Sequence, residues 1–282
     1  MARSSSNCKT PVSESLKNLI FMPAPVYQKA KLVSRKEVPK GYVHLILEEE
    51  QIARTAQPGQ FVMVRGWNMG DPILPRPFDI VTADPLKGLF RLCIKVEGKG
   101  TKILSSLKKG AFLYVTGPLG TAITDYSEEG TALLVRGAGA AAVVYLAETL
   151  SRIRKPVYTI LSASTKSRLV CRSLLERASL DLFIATDDGS EGYGGNGTDL
   201  LDQLVKEGKV ERVYTCGSRR FARHVKELDL AGKVDGYVFL EGYMGCGMGD
   251  CHGCAVKKED KEGYFLVCMD GPVFRSRDVV LE

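Results

Sequence analysis

The stretch from Met244 to Phe274, MGCGMGDCHGCAVKKEDKEGYFLVCMDGPVF, limits the possible folds more than any other part of the chain. Its cysteines, Cys246, Cys251, Cys254 and Cys268, are spaced C-x4-C-x2-C-x13-C, so three thiols must converge from nine consecutive residues. Only a tightly wound loop achieves that. Gly245, Gly247, Gly249 and Gly253 permit it, because a residue without a Cβ accepts positive φ and lets backbone N–H groups approach the sulfurs. The spacing is that of the ligands of a plant-type [2Fe-2S] cluster. An all-thiolate zinc knot is the competing use of four cysteines, but it favours two C-x2-C pairs, and only Cys251 and Cys254 form one. Two independent disulfides are the weaker alternative, since neighbours in one glycine-rich loop are poorly placed for bridging. The run GYFLVC reads as a strand that returns Cys268 across a short hairpin.

Composition narrows the class further. At 282 residues the chain can hold two domains and a small third. Its 44% hydrophobic and 26% charged residues are ordinary for a globular protein, and no apolar run reaches the ~20 residues of a membrane-spanning helix. The net charge of +6 is dispersed along the sequence, which disfavours a nucleic-acid partner and favours small anions or an acidic protein. The opening MARSSSNCKT has no apolar h-region, so a cytoplasmic location is expected and the eight cysteines read as reduced thiols or metal ligands.

Residues 1–24 read as an N-terminal arm outside the first domain. From 25 to 127, the runs Ala30–Val38, Tyr42–Leu47, Phe61–Arg65, Asp79–Ala83, Leu89–Val96 and Phe112–Thr116 alternate or are β-branched, with Gly or Pro between them. Six such strands and a helical run from Thr101 to Leu107 predict a small antiparallel β-barrel. Within it stand LPRPFDI at 74–80, KVEGKGTKILSSL at 95–107 and GPLG at 117–120.

Together these motifs resemble the flavin-binding barrel of the ferredoxin reductase-like family. With the cysteine motif added, the chain from about Val26 onward resembles the electron transfer subunits of class B dihydroorotate dehydrogenases. The resemblance implies FAD on the barrel, lined by Arg76, Pro77, Phe78 and Asp79, by Cys93, Ile94 and Lys95, and by Gly100 and Thr101. Arg76 offers a fork of donors to a pyrophosphate, and Pro77 holds the strand edge. The backbone of Phe78 and Asp79 suits the flavin ring edge, and Gly100 and Thr101 open a helix whose N–H groups and hydroxyl suit a phosphate. Members of this family carry Ser or Thr where Asp79 stands and Arg where Lys95 stands. A carboxylate at Asp79 donates a hydrogen bond only when protonated, and when ionised it disfavours an anionic reduced flavin.

Beyond the barrel the pattern changes. Strands at Thr131–Arg136, Pro156–Ala163, Asp181–Thr186 and Arg212–Cys216 alternate with helices at Ala140–Leu150, Leu169–Arg177, Thr198–Glu207 and Ser218–Leu228, and Val238–Glu241 adds a last strand. Residues 128–240 therefore read as an open parallel α/β sheet of the nucleotide-binding kind, followed by a small cluster domain at 241–282. The first turn, LLVRGAGAAAVVYL, keeps Gly137 and Gly139 but no further glycine, and Arg136 fills a strand end that relatives leave small. Arg219 and Arg220 add bulk and charge after Cys216 and Gly217. NAD(H) or NADP(H) is thus expected to bind weakly or not at all, although the added charge favours a phosphate. His44, His224 and His252 show no metal-ligand spacing and read as surface or structural residues; Cys93, Cys171 and Cys216 read as small buried ones.

No acid, base or nucleophile constellation stands out, which suits a relay whose cofactors carry the chemistry. The expected function is electron transfer between FAD and the [2Fe-2S] cluster, the flavin splitting electron pairs because the cluster accepts one electron at a time. By the resemblance, the partner is a catalytic flavoprotein subunit that oxidises dihydroorotate in pyrimidine biosynthesis, with NAD as terminal acceptor, in a hetero-oligomer. The alternatives are a diverged paralogue serving another oxidoreductase complex and a redox-sensing iron-sulfur module without an intact flavin site.

Overall fold

The computed structural model describes residues 25–38, 41–68, 70–259 and 262–281. The expected N-terminal arm, with Cys8, lies outside the described residues. The first unit comprises β1 (Val26–Glu37), β2 (Tyr42–Glu48), β3 (Phe61–Arg65), β4 (Arg76–Asp79), β5 (Thr82–Asp84), β6 (Leu89–Lys95) and β7 (Phe112–Leu119), with helices α1 (Glu50–Thr55) and α2 (Lys99–Ser106). Its strands pair antiparallel in the order β4-β3-β7-β1-β2-β6-β5. Alternation sorts the side chains: Phe90, Leu92 and Ile94 of β6 are buried in the barrel, while Arg91, Cys93 and Lys95 face outward.

The expected strand Asp79–Ala83 is in fact two strands, because the chain changes partner there. Ile80 still donates its N–H to Gln60 beside β3, whereas the N–H of Val81 bonds Arg91 on β6. Helix α1 was not anticipated, since six residues carry little periodic signal. It is set by Glu49, whose carboxylate accepts the N–H groups of Gln51 and Ile52 at its start.

The second unit contains β8 (Thr131–Arg136), β9 (Val157–Ala163), β10 (Asp181–Thr186), β11 (Tyr193–Gly194), β12 (Arg212–Cys216) and β13 (Asp235–Phe239). Helices α3 (Ala140–Arg152), α4 (Arg172–Ala178), α5 (Gly197–Lys206) and α6 (Arg219–Leu230) connect them. The last part of the chain adds β14 (Ala255–Lys257), β15 (Tyr264–Leu266) and β16 (Val273–Arg275). The central sheet runs β11-β10-β9-β8-β12-β13-β16, parallel except for β16, which closes its edge antiparallel to β13. Thus three residues of the C-terminal stretch belong to the central sheet. Apolar cores lie under α3 and α4 on one face and under α5 and α6 on the other. Helix α4 starts three residues later than the periodicity suggests, because Cys171 takes φ 59 immediately before it. The final strand ends at Phe239, not Glu241, which frees Leu240 and Glu241 to face a cleft.

Candidate functional site

The cysteine loop rests on the barrel. Phe61, Met63 and Leu119 share a core with Val238, Cys254, Val267, Cys268 and Phe274. Gly247 makes the contact close: it takes φ 75, and a Cβ there would lie 2.6 Å from Met63. The hairpin of β14 and β15 forms as expected, with Cys268 in the turn just beyond it. The Cys246 sulfur accepts N–H groups from Met248 at 3.3 Å and Cys251 at 3.4 Å. Backbone N–H donation, foremost from Gly253, lowers the Cys251 thiol to about 7. Burial, then its contact with Cys254, pushes Cys268 up to about 12.

The sulfurs therefore fall into two pairs, Cys246 with Cys251 and Cys254 with Cys268. Among the described residues, only His44, Cys93 and Cys171 bring three such donor atoms within 4.8 Å of one another. A mononuclear tetrahedral site with ~2.3 Å bonds needs its four sulfurs ~3.8 Å apart, whereas a two-iron cluster takes one pair on each iron. The donor set fits [2Fe-2S].

A cleft of about 670 Å³ opens where β4 and β6 meet the C-terminal ends of the central strands and the segment leading to the cysteine loop. Pro77, Phe78, Asp79, Cys93 and Lys95 form its barrel wall, Arg136, Gly137, Gly139 and Gly217 the opposite wall, and Glu241, Met244 and Pro272 the side towards the cluster. The remaining residues of the expected flavin set lie elsewhere. Ile94 points into the barrel core, so only its backbone can meet a cofactor. The Arg76 guanidinium sits 5.9 Å from the Trp67 ring. A Cβ on Gly100 would come within 2.9 Å of Trp67 and 3.4 Å of Arg76, so the start of α2 is drawn against both. Arg76 and the first turn of α2 thus lie together, with the guanidinium donating to the carbonyls of Leu74 at 2.5 Å and Pro75 at 3.2 Å. Helix α2 opens at Lys99, not Gly100, and the Thr101 hydroxyl accepts the N–H groups of Glu97 at 3.0 Å and Gly98 at 3.1 Å. That hydroxyl caps its own helix.

For Asp79 the fold favours the protonated form, the one able to donate. Burial, followed by the charge of Glu241, pushes it up to about 7. Near neutral pH a large share of Asp79 is protonated and can donate a hydrogen bond, as a Ser or Thr hydroxyl would.

The central sheet reverses its winding between β8 and β12, the position at which open α/β sheets bind nucleotides. Gly139 and Gly217 face each other there, but for packing: a Cβ on Gly139 would lie 2.5 Å from the Cys216 backbone, and one on Gly217 2.1 Å from the Arg136 carbonyl. The charge of Arg136 is already matched. Its guanidinium donates to Asp187 at 3.1 and 2.5 Å and to Ser162 at 2.9 Å, spanning the ends of β8, β9 and β10. This ion pair holds Asp187 below its ordinary value. Arg219 opens instead on a second cleft, about 580 Å³, with Lys257 and Tyr264, and Arg220 lies 5.8 Å from the Phe221 ring. Of the three arginines, Arg136 is thus paired and Arg219 opens on the second cleft, while the exposed Arg220 keeps its charge near Asp187.

Sequence reasoning missed Tyr42, Phe61, Arg168, Glu241 and Met244 as cleft residues. Only Glu241 had a local signal, a lone charge between the last strand and the cysteine loop. His44 was expected to be superficial or structural; it is buried against Cys93 and Cys171, residues remote from it in sequence.

An antiparallel barrel, a parallel nucleotide-type sheet and a paired-cysteine loop around one cleft define a ferredoxin reductase-like electron-transfer protein. Comparison with known proteins agrees. Residues 29–123 match the oxidoreductase FAD-binding domain, and residues 241–280 the iron-sulfur cluster binding domain of dihydroorotate dehydrogenase B. The chain is 35% identical over 256 residues to the dihydroorotate dehydrogenase B (NAD(+)) electron transfer subunit of Desulforamulus reducens, covering 90% of this chain and 98% of that one. It is 33% identical over 259 residues to the subunit of the same name from Geobacillus thermodenitrificans, again covering 90% and 98%. The chain belongs to the dihydroorotate dehydrogenase B electron transfer subunit family, and FAD and a [2Fe-2S] cluster are its cofactors. Among solved structures, an NADH-dependent reduced ferredoxin-NADP oxidoreductase studied for flavin-based electron bifurcation superposes with TM-score 0.79 at 28% identity, covering 89% of this chain and 90% of that one. The ferredoxin reductase of carbazole 1,9a-dioxygenase shares the fold at TM-score 0.63 and 19% identity, covering 74% and 67%.

Proposed function

We propose that electrons pass between FAD seated in the interdomain cleft and the [2Fe-2S] cluster, and that the partner is a dihydroorotate-oxidising flavoprotein subunit. Strand β3 carries the reading: Phe61 lines the cleft, and Met63, two residues on, touches Gly247 of the cysteine loop. When bound, FAD supplies the exchange between paired and single electrons that the cluster cannot perform. Arg76 and the first turn of α2 hold its pyrophosphate, and Phe78 and Asp79 meet its ring system. Cys246, Cys251, Cys254 and Cys268 hold the cluster. Tyr243, 96% exposed, with Met248, Tyr264 and Met269, gives the cluster end an apolar surface suited to a protein partner. Residues 25–127, 128–240 and 241–282 serve as the three units, and the reduced thiols suit the cytoplasm. No helix among the described residues is long and apolar enough to cross a membrane.

Relatives carry NAD(+) in their names, but in this chain the Arg136–Asp187 pair occupies the nucleotide crevice, and we propose that NAD(H) binds weakly. The same pair favours the second reading, a diverged paralogue that exchanges electrons only with proteins. Mixing the holoprotein with a dihydroorotate-oxidising flavoprotein and dihydroorotate under anaerobic conditions separates the two. Reduction of the [2Fe-2S] centre, read by electron paramagnetic resonance, supports the first; an oxidised cluster and no complex by gel filtration sinks it.

A further inference from the structure

Behind the barrel wall of the cleft lies a cluster that electron transfer does not use. His44 on β2, Cys93 on β6 and Cys171 at the start of α4 bring their ring nitrogen and two sulfurs within 4.8 Å of one another. His44 and Cys171 are buried, and the partly exposed Cys93 lines the cleft. The sulfurs come from different units, barrel and α/β sheet, and neither forms a disulfide.

Hydrogen bonding gives the three residues distinct roles. The Arg91 guanidinium, which can only donate, lies 3.3 Å from His44 Nδ1 and makes that nitrogen the acceptor. A neutral His44 then carries its proton on Nε2, which points at the Cys171 sulfur 3.7 Å away. The imidazole therefore directs its Nε2–H at the Cys171 sulfur and offers no lone pair to a metal, which argues against the zinc or copper site that two thiols and an imidazole otherwise bring to mind. Cys93, in contrast, is held as a thiol by its hydrogen bond with Cys171 and by burial. Cys171 is also one of three non-glycine residues at positive φ among the described residues, so its backbone is fixed in a costly conformation that keeps its sulfur at this spot.

We propose that Cys93 and Cys171 form a redox-active dithiol that a small hydroperoxide converts into a disulfide joining the barrel to the α/β unit. The Cys171 thiolate attacks the terminal oxygen of the peroxide; the S–O bond forms, the O–O bond breaks, and the leaving hydroxide or alkoxide takes the proton that Cys171 gave up. The Cys93 sulfur then attacks the Cys171 sulfur, the S–O bond breaks, and water leaves with the Cys93 proton. Two thiols are oxidised and one peroxide is reduced to two waters, or to water and an alcohol. The sulfurs must close from no more than 4.8 Å to ~2.05 Å, within the swing of two side chains. The new bond fastens the cleft wall at β6 to the opposite unit.

The experiment uses the holoprotein with FAD and cluster in place, titrated anaerobically with hydrogen peroxide while the cluster absorbance is followed, then quenched by alkylation under denaturing conditions. Trypsin releases Cys93 in LCIK and Cys171 in LVCR, so their linkage is read directly by mass spectrometry. The expected result is a linked pair formed before the cluster bleaches, with about one peroxide consumed per disulfide, and separated again by dithiothreitol. His44→Phe should slow its formation at least tenfold at neutral pH, and His44→Gln, which keeps a donor, should restore much of the rate. Full alkylation of both cysteines after the cluster has bleached overturns the proposal. So does linkage of either one mainly to Cys216, or one equivalent of zinc in the wild type that Cys171→Ser lacks. The wild-type map alone decides the matter if a His44 variant fails to fold.

Discussion

Replacing Asp79 with Asn tests the cleft electrostatics where they depart most from the family pattern. In the folded protein Asp79 titrates at about 7 against an ordinary value of 3.8, with burial as the first cause and Glu241 as the second. At ~1.36 kcal/mol per unit, ionising it in place costs about 4 kcal/mol more than in the unfolded chain, as an upper bound. The folded state binds the proton more tightly, so the stability linked to it is fully present below about pH 4 and is lost as pH rises through about 7. Wild type should therefore fall relative to Asp79→Asn by about 3 kcal/mol between pH 5 and 8, and then run parallel to it. Urea unfolding of flavin-free protein provides the assay, and Trp67, the only tryptophan, reports on the barrel. With a slope of about 1–3 kcal/mol/M, the wild-type midpoint should drop by about 1–3 M relative to the variant over that range. Glu241→Gln should shrink the effect without abolishing it. If wild type and Asp79→Asn keep a constant separation from pH 5 to 8, Asp79 is an ordinary carboxylate and the hydrogen-bond donor role assigned to it fails.

Three further outcomes follow from the site. Cys254→Ser should lose most of its iron and acid-labile sulfide while keeping flavin, because the buried thiol removed does not line the flavin cleft; stoichiometric zinc without sulfide in anaerobically prepared wild type would refute the cluster assignment. Arg76→Ala should weaken FAD binding by ~1.5–3 kcal/mol, one to two decades in affinity, and unchanged flavin retention on dialysis would remove Arg76 from the pyrophosphate site. Wild-type flavin should bleach little at micromolar NADH, whereas Arg136→Gly, which opens the crevice and frees Asp187, should lower the NADH concentration needed at least tenfold; rapid stoichiometric bleaching of the wild type would show that the ion pair obstructs nothing.

The sequence by itself determined the succession of barrel, α/β sheet and cluster segment, the presence of a [2Fe-2S] cluster, and the strand or helix character of nearly every segment. Those properties are carried by local spacing: thiols that must converge within nine residues, alternation along β6, and glycine at turns. Tertiary structure decided what depends on neighbours far along the chain. Asp79 is a potential donor only because the fold buries it near Glu241, and Arg136 is matched only because β8 and β10 flank β9 and bring Asp187 within reach. The Thr101 hydroxyl caps the start of α2 because the turn before the helix brings the N–H groups of Glu97 and Gly98 to it. His44, Cys93 and Cys171 left no trace in the sequence. Their chemistry arises where a barrel strand pair meets the start of a helix in another unit, and pKa, tautomer and sulfur contact are properties of that shared, dehydrated space rather than of any single segment.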